Sequence, residues 1–175
     1  MTMRRLPLKH VCVFGLCLTL VLLLSSCPKK PKTPDIAPDF TLKTLEGQEI
    51  TLSELKGKVV LLDFWATWCG PCKESIPHLA QLYTSYKERG LELIGMSTDK
   101  AGDVEVVRRF VNSMEIPYPI ILTPEEVTRS YKITGLPTAV LIDKKGKIRE
   151  KIVGFNSAIG QQIISKVEEL IAENP

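Results

Sequence analysis

The sequence predicts an α/β domain, a three-layer α/β/α arrangement around a central mixed β-sheet, and three features carry that reading. Apolar runs of strand length alternate at first with segments of helix length, the order expected of parallel strands joined by helical crossovers. Two later runs flank Asp143-Lys144-Lys145-Gly146 as an antiparallel hairpin that closes the sheet. Between them in importance stands Val59-Val60-Leu61-Leu62-Asp63-Phe64-Trp65, apolar at both alternating positions except for one aspartate. A strand of that kind is covered on both faces.

The elements follow in chain order. Phe40–Lys43 and Glu49–Leu52, around Glu46-Gly47, form a short N-terminal hairpin. Val59–Trp65 leads into a helix after Cys69 that runs to about Glu88, where Arg89-Gly90 stops it. Pro77 lies inside that helix and is expected to kink it. Leu91–Met96 is the next strand. Val104, Val107, Val111 and Met114 recur at spacings of three and four, the pattern of one buried helix face. Ile120-Ile121-Leu122 is an added strand and Glu125–Tyr131 a short helix. Thr138–Ile142 and Ile148–Val153 make the hairpin, and Ile159, Ile163, Val167 and Leu170 mark the buried face of a final helix.

The first 26 residues are expected to be an export signal. Arg4, Arg5 and Lys9 precede an apolar stretch of 14 residues, Val11 to Leu24, shorter than a membrane span requires. It ends in Leu24-Ser25-Ser26-Cys27, which resembles a bacterial lipobox; that resemblance implies a lipid on Cys27 and a membrane anchor. An uncleaved anchor and ordinary cleavage near Ser26 are the alternatives. Arg4-Arg5 is also faintly similar to a twin-arginine signal. Residues 27–38 then contain Pro28, Pro31, Pro34 and Pro38 among three lysines, the composition of an extended tether. Residues 39–173 have the length of one domain.

The charge balance excludes one class of partner. The whole chain has 23 basic and 20 acidic residues, a net charge of +3. Removing Arg4, Arg5 and Lys9 leaves 20 of each, so the basic excess belongs to the leader and nothing points to nucleic acid.

The cysteines point to redox chemistry. Cys12 and Cys17 lie in the leader and Cys27 at the lipobox, which leaves Cys69 and Cys72 as the thiols of the domain. Strand-then-helix context places Cys69 at a helix N-terminus, where the dipole and free N–H groups favour a thiolate. Cys72 follows one helical turn later, close enough to form a Cys69–Cys72 disulfide. Zinc needs four ligands, and His78 is the remaining imidazole of the domain, so no metal site is expected. Asp63, the single charge in the central strand, is either a buried carboxylate with a raised pKa or a strand-end residue turned to solvent. Buried, it could accept or donate the proton of Cys72.

Asp63-Phe64-Trp65-Ala66-Thr67-Trp68-Cys69-Gly70-Pro71-Cys72-Lys73, Pro77 and Gly135-Leu136-Pro137-Thr138 together closely resemble thioredoxin. Ala37-Pro38-Asp39-Phe40 and the extra segment from about Gly102 to Leu122 are similar to the exported redoxins of the TlpA/ResA type. The resemblance covers nearly everything after the tether. It implies a thioredoxin fold with a redoxin-type insertion, and a membrane-tethered, extracytoplasmic thiol–disulfide oxidoreductase without a cofactor. Cys69 would be the nucleophile, Cys72 the resolving cysteine and Asp63 the proton acceptor and donor. Pro137 would be a cis-proline packed against the pair, and the Leu136 backbone would bind an extended target with Gly70, Pro71 and Thr138 beside it. Trp68 would either wall the site or pack in the core, and Trp65 would belong to the core. Such relatives in exported compartments often carry Asn where Asp63 stands. Gly70-Pro71, the thioredoxin dipeptide, leans toward a reducing pair. Implied partners are disulfide-containing exported proteins, apocytochrome c among them, and a membrane thiol carrier as electron donor.

Two other classes compete. Peroxiredoxin-like thiol peroxidases share the Ala-Pro-Asp-Phe opening and the extra segment, but their pattern resembles Pro-x-x-x-Thr-x-x-Cys, and Leu62 and Ala66 occupy those places. A non-catalytic binding module would need neither the paired cysteines nor Asp63.

Overall fold

The computed structural model describes residues 36–174. The expected export signal, Cys27 and most of the tether lie outside the described residues. The first hairpin is β1 (Thr41–Lys43) and β2 (Glu49–Thr51), an antiparallel pair separate from the main sheet. The main sheet has five strands: β3 (Val59–Trp65), β4 (Leu91–Ser97), β5 (Ile120–Leu122), β6 (Thr138–Ile142) and β7 (Ile148–Val153). Their spatial order is β5-β4-β3-β6-β7. The β3–β4 and β4–β5 pairs are parallel, while β6 runs antiparallel to both β3 and β7. The sheet is therefore mixed, and β3 is its centre.

β3 is buried at every position. Alternation sends Val59, Leu61 and Trp65 to one face and Val60, Leu62 and Phe64 to the other. On the first face the core is completed by α1 (Gly70–Tyr86), α2 (Val104–Ser113) and α4 (Ser157–Ala172), through Ile76, Val107, Val111, Ile163, Val167 and Leu170. On the second face Phe40, Ile50 and Leu52 from the hairpin region pack with Tyr131, just after the short helix α3 (Glu125–Ser130). Each fully buried Leu, Ile or Val side chain contributes about 1.5–3 kcal/mol relative to exposure. The two apolar faces of β3 thus fix it between two layers.

Most boundaries follow the sequence pattern. α1 runs through Pro77 to Tyr86, a tighter turn spans Lys87–Arg89, and Gly90 at φ 97° ends it in the left-handed region. The segment between β4 and α3 forms α2 and the edge strand β5. Val107 and Val111 are buried as the spacing predicts, whereas Val104 and Met114, at the two ends of the helix, are only half-buried.

Candidate active site

The site forms where β3 ends and α1 begins. Cys69 is the N-cap of α1, Pro71 occupies the first turn, and the Cys72 N–H donates to Cys69 Sγ at 3.2 Å. The two sulfurs are bonded at 1.99 Å, with α-carbons 5.3 Å apart. Cys69 keeps a small exposed surface while Cys72 is fully buried, so an incoming molecule reaches Cys69 first. The Cys72 N–H, in the first turn of the helix, favours negative charge on Cys69 Sγ. Ser75, one turn on, is buried and donates its hydroxyl to the Cys72 carbonyl at 3.0 Å.

A groove of about 610 Å³ opens beside Cys69. Trp68, Gly70 and Pro71 form one wall, and Thr98, Thr128, Ile133, Thr134, Gly135 and Leu136 form the other. None of these side chains carries a charge. Trp68 is 71% exposed, which removes the core-packing alternative for it, while Trp65 is fully buried and stacks on Phe110 at 5.2 Å between ring centroids. The Leu136–Pro137 peptide is cis. The loop around it is tied by the Thr138 hydroxyl to the Gly135 carbonyl at 2.7 Å and by the Gly154 N–H to the Pro137 carbonyl at 2.8 Å. Leu136 lines the groove, while the expected contact residue Thr138 is fully buried and outside its lining.

Asp63 is 1% exposed, so it is not turned to solvent. Its position in β3 matches Leu61 and Trp65 in alternation, which directs it toward the layer that holds Cys72. Burial pushes its pKa up to about 7. Its Oδ2, Trp65 Nε1 and the Tyr118 hydroxyl are buried without a hydrogen-bond partner among the described residues. Gly95 is the register partner of Asp63 on β4. A Cβ there would come within 2.4 Å of Ile120 Cδ1, 3.0 Å of Trp65 Nε1 and 3.1 Å of Tyr118 Cε2, so only glycine admits these groups beside the aspartate.

Sequence reasoning missed buried Asp99 and Ser97, which bond half-buried Thr67 at the strand ends, and the Thr98–Thr128–Ile133 wall of the groove. One signal was available: Ser97-Thr98-Asp99 closes β4, and open α/β sheets place their sites at the carboxyl ends of strands. His78 is exposed on α1 and packs its ring 5.2 Å from Phe155. Among the described residues no group of three or more His, Cys, Asp or Glu could hold a metal ion.

Comparison with known proteins decides the family. Residues 33–151 match the model of the AhpC/TSA family. The chain belongs to that family. Over 119 residues it is 42% identical to the thiol-disulfide oxidoreductase ResA of Bacillus thuringiensis, covering 67% of this chain and 68% of that one. Among solved structures, a thiol:disulfide interchange protein of the thioredoxin family from Chlorobium tepidum superposes with a TM-score of 0.72 at 29% identity, covering 82% of this chain and all of the other. StoA from Bacillus subtilis superposes with a TM-score of 0.64 at 28% identity, covering 75% and 98%. The fold is that of thioredoxin, and this member of the AhpC/TSA family is a thiol–disulfide oxidoreductase with a Cys69–Cys72 pair.

Proposed function

We propose that the chain is a membrane-tethered, extracytoplasmic reductase of protein disulfides. The observation that carries the direction of attack is the difference in access between the cysteines: Cys69 opens on an uncharged groove and Cys72 is sealed beneath it. In the reduced enzyme the Cys69 thiolate attacks one sulfur of a target disulfide. A Cys69–target disulfide forms, and the other target sulfur leaves as a thiolate that takes a proton from solvent. Cys72 then gives its proton to the Asp63 carboxylate and attacks Cys69 Sγ. The Cys69–Cys72 bond forms, and the second target sulfur leaves as a thiolate that takes up a proton as Asp63 releases its own. Two electrons pass to the target, and a dithiol donor restores the pair. Asp63 suits this step because its pKa of about 7 lies between those of an ordinary carboxylate and a thiol.

The target lies extended along the groove, with Trp68, Gly70 and Pro71 on one side. The Leu136 backbone beside Pro137 and Thr138 pairs with it as an added strand. The leader, the lipobox-like Cys27 and the proline-rich tether support attachment to a membrane, with residues 1–26 removed, 27–38 as spacer and 39–173 as the domain. Targets are exported proteins with disulfides, apocytochrome c as one class, and electrons come from a membrane thiol carrier. The peroxidase alternative gains no support, since Leu62 and Ala66, at the places of its Pro and Thr, are buried apolar side chains and Leu62 lies on the opposite face of β3 from Cys69.

The test is reduction of a peptide disulfide by the full chain in detergent with dithiothreitol as donor. Wild type is expected to turn over, C69S to fall to the uncatalysed rate, and C72S to accumulate a Cys69–peptide mixed disulfide visible by mass. Equal activity in C69S and wild type would overturn the reading.

A further inference from the structure

Asp99 is a buried acid, 7% exposed, that the chemistry above does not use. It sits just beyond β4 and accepts three hydrogen bonds. The Thr67 N–H reaches Oδ2 at 3.0 Å, the Thr67 hydroxyl reaches Oδ1 at 2.7 Å, and the Ser97 hydroxyl reaches Oδ2 at 2.9 Å. Both carboxylate oxygens are therefore acceptors, and the loop that leaves β3 is gripped at a backbone and a side-chain donor of one residue. The adjacent Thr98 N–H donates to the Trp65 carbonyl at 2.8 Å, and the Cys69 N–H closes the loop onto the Ala66 carbonyl at 3.1 Å. Trp65 and Thr67 are thus held from the end of β4, and Cys69 from Ala66 within its own loop.

A neutral side chain could satisfy part of that geometry. What the carboxylate adds is a negative charge. Thr67 precedes Cys69 by two residues, so their α-carbons lie at most about 7 Å apart. Lys100 and Glu125 share a neighbouring cavity with Asp99. The helix N-terminus favours a thiolate at Cys69, and Asp99 opposes it.

We propose that Asp99 is a positioning residue of the redox pair: through Thr67 it fixes the loop before the nucleophile, and its charge there biases the pair toward the disulfide, so that the dithiol gives up its electrons more readily. The inference rests on the redox reading above. The charge acts on the reduced form, where Cys69 carries a share of thiolate, and has no comparable charge to oppose in the disulfide.

The experiment is equilibration of the full chain with dithiothreitol buffers, in which protein disulfide and reduced dithiothreitol exchange for protein dithiol and oxidised dithiothreitol, read by tryptophan fluorescence. D99N, similar in shape but neutral, is expected to move the equilibrium toward the dithiol by about twofold or more, the effect of one charge roughly 10 Å away in a watery dielectric. T67V removes one donor and leaves the charge less neutralised, so it is expected to move the equilibrium the other way. T67S keeps both donors and restores the wild-type value. A purely structural role would move D99N and T67V in the same direction or move neither, and either result overturns the proposal. Should D99N fail to fold, direction alone decides it: a shift of T67V toward the disulfide that T67S does not show supports the proposal, and a shift toward the dithiol or no shift overturns it. A wild-type chain with no reversible equilibrium would instead sink the redox reading itself.

Discussion

Two buried aspartates on the same sheet show opposite arrangements. Asp143, 7% exposed at the β6–β7 turn, accepts from the N–H groups of Lys145 at 3.0 Å and Lys147 at 2.9 Å, and pairs with Arg149 at 3.4 Å. Asp63, deeper in the same sheet, has an oxygen with no partner and a neighbourhood of Leu, Trp and Tyr. The turn uses its acid to hold a hairpin. The centre keeps an acid that the fold does not need, on the face of β3 that packs against the layer of Cys72. Satisfied burial serves stability; unsatisfied burial costs the fold, and under the proposed mechanism it serves proton exchange with Cys72.

Replacing Asp63 should give the largest effect and separate the two roles. Between about pH 4 and pH 7 the folded chain keeps a proton on Asp63 that the unfolded chain has released, because its pKa is raised to about 7. Stability should therefore fall as pH rises through that window, by roughly 4 kcal/mol, and level off above it. D63N should remove this slope and be the more stable protein at pH 8 in denaturant titrations, while its turnover falls about a hundredfold. A D63N enzyme of full activity would break the comparison.

Asp143 should behave in reverse. D143A leaves two turn N–H groups without their acceptor, while Arg149 keeps Glu173, and should cost about 1–3 kcal/mol in urea unfolding. Its dithiol–disulfide equilibrium should match the wild type.

How much of this was legible in the sequence depended on range. The seven-residue run of β3, the Asp143–Gly146 turn and the Cys69–Cys72 spacing are local signals, and each element appears where its pattern lies. The burial of Asp63 was one of two open readings, because a strand-end residue and a mid-strand residue look alike until β4 and β6 pair on either side of it. The Asp99–Thr67 grip joins residues 32 apart and exists only through the parallel register of β3 with β4. Trp68 was ambiguous for a related reason: an indole beside a cysteine pair fits core or groove equally until the helix start turns it outward.

G95A sharpens the account of the Asp63 neighbourhood. The added methyl meets Ile120, Trp65 and Tyr118, so this substitution should cost about 1–3 kcal/mol in thermal or urea unfolding. Loss of activity in G95A should exceed what the lost stability explains, since the displaced groups border Asp63. Smallest in stability is W68A. With 71% of its surface exposed, Trp68 should contribute within about 0.5 kcal/mol to folding, while its loss raises the KM for a peptide disulfide more than it lowers kcat.

The central claim is that Cys69 and Cys72 form a reducing pair, and the reduction potential of the full chain tests it most directly. Equilibration against dithiothreitol and glutathione buffers, followed by tryptophan fluorescence, should show one reversible two-electron transition near the thioredoxin range of about −270 mV. A transition near about −120 mV would contradict the account, because the protein would then donate disulfides rather than reduce them.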